Sequence, residues 1–108
     1  MTVSIKALAD GQLAAAKGTL YTTPASTQTI VRNITLINTD SSARTVNLYI
    51  KRDGTNSRRI IPNNLSLVAS GGMCIYDSPI TLEAADLIEG DASAATVVDY
   101  SINGVQEV

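Results

Sequence analysis

Residues 18–50 read GTLYTTPASTQTIVRNITLINTDSSARTVNLYI and contain two strand-like runs separated by a polar turn. The first run, Gln28–Ile37, is rich in β-branched residues, which fit a pleated surface well. The second run places Val46, Leu48 and Ile50 on one face and polar side chains on the other, since successive residues of a strand point to opposite faces. Two such runs joined by a short Asn/Asp/Ser loop predict an antiparallel hairpin with one buried face.

Similar short apolar runs continue to the end of the chain, about ten residues apart and separated by Gly, Pro, Asn and Asp turn signals. This spacing predicts an all-β protein, folded as an antiparallel, jelly-roll-like β-sandwich of about eight strands. The predicted strands after the N-terminal segment are Thr19–Thr22, Gln28–Ile37, Thr45–Arg52, Arg58–Ile61, Leu65–Val68, Met73–Tyr76, Ile80–Leu82, Leu87–Glu89 and Thr96–Asn103.

The length of 108 residues predicts one domain, residues 1–108, without an internal linker. Its first 17 residues are ambiguous. Val3–Leu8 fits either a first strand or an extended N-terminal arm. Residues 9–17, ADGQLAAAK, have helical propensity but no apolar stripe, so we expect a loop with at most one helical turn.

The composition excludes several classes of chemistry. The chain has no histidine, which excludes a Ser-His-Asp triad and histidine metal sites. No glycine-rich nucleotide-binding motif is present. The one cysteine, Cys74, excludes an internal disulfide and lies in an apolar run, where we expect it to be buried. We therefore expect a protein that is not an enzyme, with no catalytic, metal-binding or cofactor-binding residues.

Charge is unevenly distributed along the chain. All eight basic residues precede residue 77, whereas seven of the ten acidic residues lie from Asp77 onward. The simplest interpretation is mutual neutralisation within one fold, and the alternative is a contact between oppositely charged edges of two subunits. The acidic residues Glu83, Asp86, Glu89 and Asp91 predict a solvated loop, with a Ca²⁺ site or a carboxylate pair as the alternatives.

A basic cluster flanks the polar loop at residues 53–57 and consists of Lys51, Arg52, Arg58 and Arg59. Tyr49 precedes it on the polar face of its strand. Tyr and Arg are enriched at protein interfaces, so Tyr49, Arg52, Arg58 and Arg59 are our candidate interface residues. Truncating Tyr49 or Arg59 should then weaken assembly and leave the fold nearly as stable. Nucleic-acid binding is disfavoured because the chain is net acidic and no aromatic residues are interleaved with the arginines.

The turn TLYTTP at residues 19–24, followed by VRNITLINTDSSARTV at residues 31–46, resembles small β-sandwich structural proteins of tailed bacteriophages. The segments Leu82–Ile88 and Tyr100–Val105 look like the closing strands of the same family. The resemblance implies a virion protein, made in the host cytoplasm, that decorates and cements the phage head. The alternative role within this class is that of a neck, tail or baseplate accessory protein. The alternative from a different functional class is a carbohydrate-binding module on the tail.

Such a protein is expected to bind itself, as a homotrimer, and to bind the major capsid protein or other virion proteins, without nucleic acid or membrane. Self-association also follows from the residues, because Val31 and Ile37 oppose Ile30, Ile34 and Leu36 across one strand. A strand that is apolar on both faces has more apolar surface than one core can bury. One residue does not fit this pattern, because Arg32 falls on the predicted core face between Ile30 and Ile34. Two explanations are open: its side chain extends to water from the edge of a sheet, or it pairs with an acidic residue across an interface.

Overall fold

A computed structural model describes residues 2–108, which form ten antiparallel strands and no helix. All strands are short or of moderate length, as expected for a chain punctuated by turn residues. The strands are β1 (Val3–Gln12), β2 (Gly18–Thr22), β3 (Gln28–Asn38), β4 (Arg44–Lys51), β5 (Ser57–Arg59), β6 (Leu65–Leu67), β7 (Met73–Tyr76), β8 (Ile80–Leu82), β9 (Leu87–Ala92) and β10 (Val98–Glu107).

The strands form two five-stranded sheets that enclose one core. Sheet 1 has the order β1-β10-β3-β7, with β8 also paired to β3, and sheet 2 has the order β2-β9-β4-β5, with β6 also paired to β4. Because β7 and β8 share one side of β3, and β5 and β6 share one side of β4, the ten strands occupy eight positions. This is the strand order of a jelly roll, so the predicted all-β, jelly-roll-like sandwich is confirmed.

The predicted hairpin between the two runs of residues 18–50 is wrong. β3 pairs with β10, β7 and β8, whereas β4 pairs with β9, β5 and β6, so the two strands lie in opposite sheets. Their apolar faces meet across the core instead of side by side. The connection at residues 39–43 is long enough to span the roughly 10 Å between packed sheets.

Asn38 holds the corner at which the chain leaves sheet 1 for sheet 2. Its side chain is fully buried. The amide Nδ2 donates to the carbonyl oxygens of Ser42, Leu67 and Val68 at 3.0, 3.2 and 3.1 Å, and Oδ1 accepts from the backbone N–H of Asp40 at 2.9 Å. One side chain therefore satisfies backbone groups of two separate segments, residues 40–42 and residues 67–68, in place of the backbone pairing that a hairpin turn would provide.

At the N-terminus the structure shows a strand, the first of the two alternatives. β1 pairs with β10 along its whole length, from Val3 opposite Glu107 to Gln12 opposite Asp99. The loop expected from Ala9 begins only after Gln12. Weak helical propensity in a short segment is readily overridden when an open sheet edge is available for pairing.

The core is aliphatic and follows the alternation of the central strands. Val46 and Leu48 of β4 are fully buried and Ile50 is partly buried. Truncating a residue such as Leu48 is expected to cost about 2–5 kcal/mol of stability. The other core side chains are Leu13, Tyr21, Val31, Ile34, Leu36, Ile61, Leu67, Ile80, Leu82, Ile88, Ala92, Val98 and Ile102.

A β-bulge accounts for the anomalous position of Arg32. Asn33 lies opposite Asn103 and Val31 lies opposite Gly104, so Arg32 is an extra residue with no partner on β10. The bulge reverses the alternation of β3, which exposes Ile30 and Arg32 and buries Val31. A Cβ atom at position 104 would overlap the carbonyl oxygen of Ile30, so the backbone approach at the bulge requires glycine.

Among residues 2–108, no helix has the length and apolar character needed to cross a membrane.

Candidate interaction surface

The predicted interface residues lie together on one hairpin of sheet 2. β4 and β5 pair so that Tyr49 is opposite Arg59 and Ile50 is opposite Arg58. The loop between the strands is ordered by Asp53, whose Oδ1 accepts from the backbone N–H groups of Thr55 and Asn56 at 2.9 and 2.7 Å. These hydrogen bonds hold the pKa of the Asp53 carboxyl well below its usual range.

Tyr49 points away from the core, as predicted, but only 9% of its surface is exposed. Lys17 Nζ lies 4.9 Å from the centroid of the ring, and the Arg59 guanidinium lies 5.1 Å from it. The hydroxyl donates to Asp91 Oδ2 at 2.9 Å. Burial, followed by the hydrogen bond to Asp91, raises the pKa of this phenol. The ring is thus packed within its own subunit, and replacing it should affect the fold.

A polar network surrounds this ring on the outer face of sheet 2. Asn47 is buried; its Nδ2 donates to Asp91 Oδ1 at 2.8 Å and to Asn64 Oδ1 at 3.0 Å. Its Oδ1 accepts from Arg59 Nη1 at 2.7 Å and from the backbone N–H of Asn64 at 2.9 Å. Arg59 is therefore held by the network, even though much of its side chain is exposed.

A second set of contacts extends the network toward β9. Glu89 is buried and accepts from the Ser57 hydroxyl at 2.6 Å, and its other oxygen lies 3.4 Å from Lys51 Nζ. Lys17 Nζ in turn donates to the Ser57 hydroxyl at 3.2 Å. Burial by itself raises the pKa of Glu89, but the contacts with Ser57 and Lys51 outweigh it, so the pKa of this carboxyl lies below its ordinary value.

The remaining two candidates differ in how they are held. Arg52 Nη1 donates to the carbonyl oxygen of Thr81 at 2.7 Å and lies 3.3 Å from Asp86 Oδ2. Asp86 is buried and also accepts from the backbone N–H of Glu83 at 2.9 Å. Arg58 is exposed and makes no ion pair or side-chain hydrogen bond within residues 2–108. Of the four candidates, Arg58 is the one whose charged group has no partner among the residues that the structure describes.

The acidic segment does not form the solvated loop that we expected. Asp86 and Glu89 are buried, and Asp86, Glu89 and Asp91 contact separate basic or polar partners on sheet 2 and its loops. Within residues 2–108, no group of three or more acidic or cysteine side chains is placed to hold a metal ion. The uneven charge along the sequence is thus balanced in part within the subunit.

A cleft lies where the edge of sheet 2 approaches the edge of sheet 1. Its volume is about 360 Å³. Arg52 and Arg59 line one side, and Ile60, Tyr76 and Pro79 also contribute to its lining. The cleft therefore combines two guanidinium groups with apolar side chains.

A second surface lies on the outer face of sheet 1. The sequence predicted an apolar surplus on β3 but did not place it on this face. Val3 and Ile5 of β1 are 61% and 92% exposed, and Ile30 of β3 is 42% exposed. Val105 of β10 lies between β1 and β3, opposite Ile5 on one side and Ile30 on the other. The signal was the alternation of Val3 and Ile5 with polar residues, which indicates a strand with an apolar outer face once its pairing partner is known.

No protein-family model matches this sequence. No curated protein sequence matches it either.

Solved structures share the fold at low sequence identity. A structure described as Bacillus endospore appendages, a family of disulfide-linked pili, matches with a TM-score of 0.57 and 16% identity, over 99% of this chain and 88% of that one. A structure of infectious bursal disease virus, Gx strain, matches with a TM-score of 0.50 and 15% identity, over 97% of this chain and 32% of that one. At these identities the likeness extends to the fold alone.

A pentameric capsid protein from metagenomic phage sequences matches with a TM-score of 0.43 and 15% identity, over 91% of this chain and 63% of its own length. This chain therefore spans less than two thirds of both viral proteins. The TM-score is too low for that similarity to carry an argument.

Proposed function

We propose that this protein is a non-enzymatic structural protein of a virion and that it works by associating with copies of itself. The observation that carries the proposal is the exposed apolar face of sheet 1, on a jelly roll whose described residues offer no metal cluster. An apolar face of this kind on a small domain is typical of assembly surfaces. The fold is also the one found in the two similar structures, which come from a virus and from pili.

Within this class we propose decoration of a phage head. The chain would form a homotrimer and contact the major capsid protein, chiefly through the Arg58 side of the β4–β5 hairpin and the neighbouring cleft. Binding only to the assembled shell would stabilise the shell by mass action, as any ligand of one state stabilises that state. A neck, tail or baseplate position is the alternative within the virion.

Heads of the encoding phage that lack this protein provide the test. Added protein should bind them at a fixed ratio and raise the temperature at which they release DNA. Binding to isolated tails instead would assign it to the tail. Failure to bind either particle would overturn the virion role.

The similarity to the pilus structure supports a second candidate, a subunit of a protein filament, because it covers nearly the whole of both chains. Disulfide bonds between copies of this chain are not favoured. Cys74 is the only cysteine, its side chain packs against the core, and burial raises the pKa of its thiol. Electron microscopy of the concentrated protein distinguishes the two: long filaments support the second candidate, and small closed particles support the first.

A further inference from the structure

The outer face of sheet 1 carries a continuous apolar row. Ile5, Val105 and Ile30 are direct register partners on three adjacent strands, β1, β10 and β3. Ile5 is almost fully exposed, and nothing within residues 2–108 covers the row. A shallow depression of about 200 Å³, lined in part by Val3, Ile30 and Val105, lies beside it. We call this row and its depression the sheet 1 patch.

Glu107 and Arg32 carry opposite charges and flank the patch, each two residues along its strand from the apolar row. Glu107 lies two residues from Val105 along β10, on the side where β10 pairs with Gln28. Arg32 lies two residues from Ile30 along β3, on the other side of the row. Within residues 2–108, neither side chain has an ion pair or a side-chain hydrogen bond. The patch thus has an acid at one end and a base at the other, and neither is paired among the described residues.

This arrangement points to a second copy of the same chain as the partner, docked face to face about a twofold axis. We infer that the axis crosses the strands at the Ile5–Val105–Ile30 row. Rotation about it places each apolar row against its own copy and brings Glu107 of one copy over Asn103 of the other, twice per pair. Arg32 lies on the adjacent strand, about 4.8 Å to the side, so the two long side chains can reach each other. It also places Val3 over Ala7, so apolar side chains meet on β1 as well. A twofold contact requires such a self-complementary surface.

The patch is small, which sets the expected strength of the contact. Each outward position on a sheet covers about 32 Å², from about 3.3 Å per residue and about 4.8 Å between strands. About twelve positions then offer roughly 400 Å² of face per copy, or about 800 Å² in total, which is below the roughly 1,200–2,000 Å² of stable interfaces and in the range of weak, transient ones. We therefore expect a reversible contact with a dissociation constant on the order of micromolar. Nearly all copies would be in this contact where many of them are held close together, because their effective concentration is then high.

The inference deepens the proposed function, because it names one self-contact of the assembling protein. A twofold contact cannot close a trimer, so it would join two trimers or, where no trimer forms, two monomers. The surface proposed for the shell, the β4–β5 hairpin, lies on the opposite sheet and stays free.

Sedimentation equilibrium of the purified full chain, from about 1 μM to about 1 mM, tests the apolar row. Ile5→Lys should raise the dissociation constant about 100-fold, so that at about 10 μM the particle has close to half the wild-type mass, because the substitution places two ammonium groups against each other on the axis. Val68→Lys is the matched control, since Val68 is 69% exposed but lies outside sheet 1. It should associate as the wild type does. Circular dichroism should show both variants folded.

Charge reversal tests whether the partner is a second copy of the same chain. Arg32→Glu and Glu107→Arg should each raise the dissociation constant about 10-fold or more, because each creates two like-charge pairs per particle. The double variant should return to within about threefold of the wild type. Only a partner that carries the same two residues allows this rescue.

The outcomes separate this inference from the proposed function. If the wild type associates but Ile5→Lys has the wild-type mass, or if the double variant is not rescued, the twofold contact is overturned and the virion role is untouched. A wild type that stays monomeric up to about 1 mM overturns both the contact and the self-association in the proposed function. Binding to phage heads then decides the virion role separately.

Discussion

Asn38→Ala should be among the most destabilising polar substitutions in this protein. The change removes one accepted hydrogen bond and an amide group whose two protons are shared among three carbonyl oxygens. Ser42 and Val68 are exposed, so water can hydrate their carbonyls, but Leu67 is buried and its carbonyl would lose a partner. Three lost hydrogen bonds at about 1 kcal/mol each predict a decrease of about 3 kcal/mol in the free energy of unfolding.

Urea denaturation at a fixed protein concentration measures this change, and a thermal melt provides a second readout. The melting temperature should fall by roughly 12–20 °C, at about 4–7 °C per kcal/mol for a domain of this size. Asn56→Ala is the matched control. Its amide also donates a hydrogen bond, to Asp53 at 2.8 Å, but it is exposed, and its loss should cost no more than about 1 kcal/mol. Equal effects of the two substitutions would refute the role of Asn38 at the corner between the sheets.

Three further predictions concern other parts of the fold. Glu89 has a depressed pKa in the folded state, so its contribution to stability is present above its ordinary pKa of 4.5 and is lost as the pH falls through the lower, folded value. Glu89→Gln should therefore flatten the acid side of the stability curve, and an unchanged acid side would contradict the ion pair. Gly104→Ala should cost about 1–3 kcal/mol because the new methyl group meets the Ile30 carbonyl, whereas Gly18→Ala, which has open space, should be nearly neutral in the same urea titration. Tyr49→Phe should lower the free energy of unfolding by about 1 kcal/mol through the lost hydrogen bond, and no change would mean that the hydroxyl is hydrated rather than bonded.

Local alternation was enough to predict much of this fold. It identified the buried face of β4, and the bounds of β7 and β8 agree with the predicted Met73–Tyr76 and Ile80–Leu82. These features depend only on which side chains are apolar and where turns interrupt them. The choice of partner strand does not depend on the same information. β3 and β4 would bury the same residues either as a hairpin or across the core, so the alternation could not separate the two arrangements.

Local alternation also could not predict the bulge or the polar network, for a related reason. Arg32 is exposed because Gly104, more than seventy residues later, lets β10 approach β3 closely. Asp86 and Glu89 appear in sequence as loop acids and become buried only because Arg52 and Lys51 arrive from another part of the sheet. Such pairings are long-range in sequence, and no single segment carries their signal.

Quantitative mass spectrometry of gradient-purified particles of the encoding phage can show whether this protein is a structural component of the virion. We expect the chain in a fixed number of copies per head, in simple ratio to the major capsid protein, and we expect it to stay with the heads when tails are removed. A fixed copy number that follows the tails would move it to the alternative position. Its absence from washed particles, while it is abundant in the infected cell, would contradict the virion role.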